Sequence, residues 1–224
     1  MSKNYSAYGL LILAALFWSG NFIVGKFAYL FQVPPLTLNV LRWISVWLIL
    51  MPFTYEEIKN NLPSIKKNWL VISFMGVITI STFNSVVYYA LNYTKVINSV
   101  LVLAAIPVAT IIFSSLMKIE KTNIFQLLGL FLSIVGIGSI ISYGDFQNII
   151  ELNFNKGDLL MLVCVICWAL YSTLLKKYKF KFSQFTLIQL MVSAGILFLI
   201  PQLFYEKSIG LEIPFNKAFF IILF

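Results

Sequence analysis

Long apolar runs, broken by short polar stretches, recur along the whole chain. Runs of about twenty mainly apolar residues are what a transmembrane helix needs. They fall near residues 8–31, 36–54, 69–91, 96–117, 124–142, 158–178 and 185–205, and an eighth begins near Ala218. None alternates with a period of two over about ten residues, the mark of an outer-membrane barrel strand. The pattern therefore predicts an all-α integral membrane protein. The first run follows Lys3, exceeds the apolar core of a signal peptide and has no small-residue cleavage site behind it, so it reads as a retained span.

The runs also repeat. LFWSGNFIVGK (Leu16 to Lys26) and ICWALYSTLLK (Ile166 to Lys176) align Trp18 with Trp168 and Lys26 with Lys176 at an offset of 150. Thr37, Leu38, Leu41 and Pro52 match Thr186, Leu187, Leu190 and Pro201 at 149, and Pro63, Lys66 and Trp69 match Pro214, Lys217 and Phe220 at 151. Five spans precede the second copy, and an odd number per copy gives two halves of inverted topology, an architecture of secondary transporters. The expected fold is an inverted repeat of five transmembrane helices, with a first repeat over 1–145 and an incomplete second over 157–224. Doubling a unit of about 150 residues gives ten spans in about 290 to 300 residues. The 224 residues thus read as a piece lacking the end of span eight and spans nine and ten; a naturally shorter protein is the alternative.

Composition narrows the chemistry. Sixty per cent of the residues are hydrophobic, 11% are charged and none is histidine, against about a quarter charged in a soluble domain. A net charge of +8 would suggest nucleic acid in a soluble protein, but in a polytopic one it reflects cytoplasmic loops. With the N-terminus inside, ten lysines (3, 59, 66, 67, 118, 121, 176, 177, 179 and 181) are cytoplasmic and four (95, 156, 207 and 217) are external. That asymmetry favours a cytoplasmic N-terminus, and the Lys, Asn and Ile richness suggests a bacterial inner membrane. Cys164 and Cys167 lie in an apolar run and read as packing residues rather than a redox pair. No metal site, cofactor or nucleic-acid partner is expected; the expected partners are the bilayer and a small-molecule substrate, with monomer and homodimer both open.

FWSGNFIVGK in the first span, Arg42 after the Pro34-Pro35 turn, and the stretch from Ala90 to Ile140 with AL-x-YT, Pro107, Glu120, Gly129 and Gly136 resemble the EamA-type drug/metabolite transporter superfamily. The resemblance implies ten spans in two inverted five-helix halves and movement of amino acids, nucleotides, purines, drugs or other metabolites. It leaves the substrate open.

Polar residues inside the spans are the candidates for chemistry. Arg42, the single arginine, stands about eight residues into its span, where a guanidinium costs at least about 2.5 kcal/mol. It either contacts an anion in a central cavity or snorkels to the interface and bonds helix-end carbonyls. Trp18, Asn21, Phe22 and Gly25 share one face of span one, and Trp168, Tyr171 and Ser172 take the equivalent face of span six. Ser81, Asn84, Ser85, Tyr88 and Asn92 form a stripe that would not face lipid. Asn98, with Thr94 on the same face of span four, and Gln189 in span seven complete the cavity candidates. Pro107 is expected to free a carbonyl near mid-membrane, Gly129, Gly136 and Gly138 to permit close helix contact, and Lys26 to snorkel from a helix end.

No Asp or Glu lies deep in a span. That disfavours proton-coupled export of cations, which needs a buried acid, and with no histidine it disfavours an intramembrane enzyme. The functional expectation is a transporter of an anionic, zwitterionic or neutral metabolite, working by alternating access. A non-transporting assembly or lipid-carrier flippase subunit is the alternative.

Overall fold

The apolar runs fold into helices in the predicted order. The computed structural model describes residues 2–119, 123–141 and 155–208, and among them there is no β-strand. Helix α1 (Ser2–Leu30) ends in a left-handed turn at Gln32, φ 57°, where the Val33 amide donates to the Ala28 carbonyl at 2.8 Å. Pro34 and Pro35 then start α2 (Pro35–Asn60) with the fixed φ that suits a first turn. A single long span, Leu62–Ala90, comprises α3 (Leu62–Gly76), a π-helical segment (Val77–Phe83) and α4 (Asn84–Ala90). The next span, Val96–Leu116, is broken at Ala104 and Ala105 into α5 (Val96–Leu103) and α6 (Ile106–Leu116). Helices α7 (Ile124–Ile141), α8 (Lys156–Lys177) and α9 (Gln184–Ser208) follow.

Among the described residues, six helical segments are long and apolar enough to cross a membrane. They coincide with six of the seven predicted runs. The fifth run forms α7, whose apolar stretch Ile124–Gly136 is shorter than the others. The eighth run, the match of Pro214, Lys217 and Phe220, and the residues Glu120, Lys121, Asp145, Glu151 and Glu212 lie outside the described residues.

Packing is organised by α8 and α9. Helix α8 lies against α4, α5, α6 and the π-helical segment, and α9 lies against α2, α3 and the same segment. One core gathers Phe22, Leu38, Phe83, Val87, Leu91 and Met161 and includes both cysteines. The cysteines are free and buried, and Cys164 Sγ lies 3.7 Å from the Phe83 carbonyl. The second core holds Ile72, Met75, Leu187, Met191 and Val192. Most of α1 and α7 remains apolar and exposed, the surface that lipid would cover.

One sequence expectation is corrected here. Gly129 and Gly136 meet nothing within 4 Å at the place a Cβ would occupy, so among the described residues neither mediates close helix contact. The close approach is instead at Gly76, whose Cβ would stand 2.3 Å from the Met191 carbonyl oxygen, and at Gly195, against Ile80. Pro107 sits in the first turn of α6, just after the break, where its missing N–H is tolerated. Asp158 is 2% exposed in the first turn of α8 and accepts a 2.7 Å bond from Thr94 Oγ1.

Candidate functional site

A cavity of about 710 Å³ opens between α1, α2, the π-helical segment, α4, α8 and α9. Such a volume suits a small metabolite. Seven of the ten residues singled out from the sequence line it: Trp18, Asn21, Arg42, Asn84, Tyr88, Trp168 and Tyr171. The other three do not. Asn98 is half-buried on α5; Ser172 Oγ donates to the Trp168 carbonyl at 2.8 Å; Gln189 Nε2 donates to the Trp47 carbonyl at 3.2 Å. For Ser172 a backbone carbonyl satisfies the hydroxyl, so its presence in a span does not require a cavity, whereas the buried Gln189 Oε1 has no partner among the described residues.

The polar centre is a three-residue cluster. Arg42 Nη1 donates to Asn21 Oδ1 and to Tyr88 Oη, and Tyr88 Oη donates to Asn21 Oδ1 at 2.7 Å. Gly25 makes this possible: a Cβ there would come within 2.8 Å of both Tyr88 Cδ1 and Leu91 Cδ1. Arg42 neither bonds helix-end carbonyls nor pairs with a carboxylate among the described residues. Its Nη2 and Nε carry no hydrogen bond to any of them, and no acidic residue among the described residues lines the cavity. Lys26 behaves differently, as expected of a helix-end lysine. Its Nζ donates to the carbonyls of Leu91 at 2.6 Å and Thr94 at 3.3 Å, just past the end of α4.

The wall is aromatic. Trp18 and Trp168 stack with centroids 5.4 Å apart, Phe83 lies 4.9 Å from Trp168, and Tyr171 meets Trp168 edge-on at 5.4 Å. Met191, which follows Arg42 by the same 149 residues that separate Thr186 from Thr37, lines the same cavity, as do Trp43, Ile49 and Ile188. Sequence reasoning missed these apolar positions because, in a lipid-soluble chain, an apolar cavity lining reads like a lipid-facing one.

The π-helical segment was also missed. It turns Thr79, Ile80 and Phe83 to the cavity, and two asparagine side chains bond its backbone carbonyls. Asn39 Nδ2 donates to the Ile80 carbonyl at 3.0 Å and Asn84 Nδ2 to that of Thr79 at 2.8 Å. Four members of the predicted stripe, Ser81, Asn84, Ser85 and Tyr88, are buried; the fifth, Asn92, is half-buried in the turn after α4.

Comparison with known proteins decides the family. The family model described as EamA-like transporter family matches residues 5–142, more than half of the chain. The chain belongs to the EamA-like transporter family. An uncharacterized transporter of Bacillus subtilis (strain 168), YyaM, is 26% identical over 216 residues, covering 94% of this chain and 69% of its own length. One from Archaeoglobus fulgidus is 29% identical over 200 residues, covering 88% of this chain and 67% of its own. A second B. subtilis relative, YvbV, is 25% identical and is covered over 63% of its length. No solved structure gives a significant match. As an EamA-family chain with six membrane-length apolar helices, this is a multi-pass membrane protein whose relatives are named transporters.

Proposed function

We propose that this EamA-family chain forms part of a secondary transporter for a small metabolite bearing a carboxylate or another anionic group. The observation that carries the reading is Arg42, a cation in an apolar cavity with one guanidinium edge held by Asn21 and Tyr88 and the other without a protein partner among the described residues. A guanidinium fork matches a carboxylate or phosphate edge in shape and charge. In a low-dielectric cavity such a pair discriminates strongly against cations, and among the described residues no carboxylate in the wall offers a cation a counter-charge. Trp18, Trp168 and Tyr171 supply flat apolar area for the rest of the ligand.

The mechanism we propose is alternating access between two inverted halves, with the cavity at their junction. Three sequence matches support it spatially. Trp18 stacks on its counterpart Trp168, Arg42 and its counterpart Met191 line one cavity, and Thr37 and its counterpart Thr186 each bond a carboxylate at the far end of the opposite helix. The lysine distribution supports a cytoplasmic N-terminus in a bacterial inner membrane.

Uptake of radiolabelled carboxylates, phosphorylated metabolites and organic cations into proteoliposomes of the full-length protein tests the reading. Saturable flux of an anionic or zwitterionic solute is expected. Flux confined to cations would contradict the substrate class, and no flux across the panel would favour a non-transporting subunit.

A further inference from the structure

Helices α2 and α9 exchange carboxylates. Glu57, near the end of α2, accepts the Ser183 amide at 2.7 Å and the hydroxyls of Ser183 and Thr186, at the start of α9. Glu206, near the end of α9, accepts the Leu36 and Thr37 amides at 2.8 and 2.9 Å and the Thr37 hydroxyl at 2.8 Å, at the start of α2. The two helices therefore run antiparallel, and each ends on a carboxylate that caps the beginning of the other. Glu57 and Glu206 stand 149 residues apart, as do Thr37 and Thr186. An N-terminal cap normally comes from a neighbouring residue in sequence. The start of α9 has such a local bond, from the Thr186 amide to Ser183 Oγ at 3.3 Å, but both carboxylates come from another helix, so each ties together two elements that the sequence repeat assigns to different halves.

Position gives these contacts their meaning. Thr37 and Glu57 are twenty residues apart on one helix, about 30 Å by the helical rise, which matches the thickness of a bilayer core. The two caps thus lie at opposite membrane faces, with the cavity between them. Midway, Trp47 Nε1 donates to Ser193 Oγ at 2.9 Å and the Trp47 carbonyl accepts from Gln189. Beside this contact α9 presses on α3 and the π-helical segment where Gly76 and Gly195 leave no room for a Cβ. The arrangement has a tight centre and a charge-assisted bond at each end, three hydrogen bonds per carboxylate, which break together when helix ends part.

We infer that Glu57 and Glu206 are alternate gate latches: releasing the Glu57 cap opens the cavity to one side of the membrane, and releasing the Glu206 cap opens it to the other. This rests on the alternating-access reading above. Neutral glutamine keeps the shape but loses the charge, and its amide nitrogen cannot accept the bonds the second carboxylate oxygen takes. Each substitution therefore shifts the population toward the state in which its own end is open.

Sided accessibility tests it. Cys164 and Cys167 are replaced by alanine, Ser45, which lines the cavity, is replaced by cysteine, and a membrane-impermeant maleimide is applied to right-side-out and inside-out vesicles. The parent is expected to label from both sides. Glu57→Gln should raise the labelling rate several-fold from one side and Glu206→Gln from the opposite side, whichever way the chain inserts. Thr186→Val and Thr37→Val, each removing one hydroxyl donor, should shift labelling in the same respective directions by less, and they serve if a glutamine variant fails to fold. A parent labelled from both sides with variants that change nothing, or that shift to the same side, would overturn the latches alone. A parent labelled from one side or neither would overturn alternating access and the latches with it.

Discussion

The Trp18 indole stacks on the Trp168 indole, ring centroids 5.4 Å apart and planes at 27°, and so bridges α1 and α8 at the edge of the cavity. An aromatic pair of this kind contributes about 0.5 to 1.5 kcal/mol beyond the area it buries. A double-mutant cycle of Trp18→Ala and Trp168→Ala, read by thermal unfolding in detergent, should give a coupling energy of about 1 kcal/mol. Additive single effects would mean that the rings do not interact.

Gly76 and Gly129 should respond oppositely to the same change. A methyl at Gly76 meets the Met191 backbone, which cannot swing aside as a side chain would, whereas one at Gly129 meets open space. Gly76→Ala should cost about 1 to 3 kcal/mol by overpacking, seen as a lower unfolding temperature. Gly129→Ala should leave that temperature nearly unchanged. Equal melting of the two variants would contradict the close crossing of α3 and α9.

Lys26 holds the end of α4 through the Leu91 and Thr94 carbonyls and is not among the cavity-lining residues. Lys26→Met should therefore destabilise the protein by roughly 1.5 to 3 kcal/mol, the range for a hydrogen-bonded charged group. The preference among anionic and cationic solutes in a flux assay should not change. A change of charge preference with stability intact would move Lys26 into the substrate path.

Much of this was legible in the sequence because lipid penalises polar side chains. Asn21, Asn84 and Tyr88 had to face inward, and they do. The same rule did not put Ser172 and Gln189 in the cavity lining: Ser172 bonds the Trp168 carbonyl of its own helix, and the buried Gln189 bonds the Trp47 carbonyl. The π-helical segment was invisible: spacings of three and four between Ser81, Asn84, Ser85 and Tyr88 read as α-helical, and a local widening leaves them on one face. Glu57 and Glu206 read as solvated acids at span ends, since nothing near either in sequence reveals a partner 126 or 170 residues away. Only the 149-residue offset, shared by Thr37 with Thr186 and by Glu57 with Glu206, hints at the pairing.

The central claim is that Arg42 receives the anionic group of the substrate, and the most direct test is flux through Arg42→Met, which copies the residue at the 149-residue offset, Met191. Proteoliposomes of full-length wild-type and variant protein, matched for incorporation and for unfolding temperature, are compared for uptake of the best anionic substrate. Losing a charge-assisted contact worth about 1.5 to 3 kcal/mol should lower apparent affinity by roughly 10- to 150-fold, and Arg42→Lys should recover only part of it because the fork is lost. Unchanged affinity in Arg42→Met would remove Arg42 from the site and contradict the account.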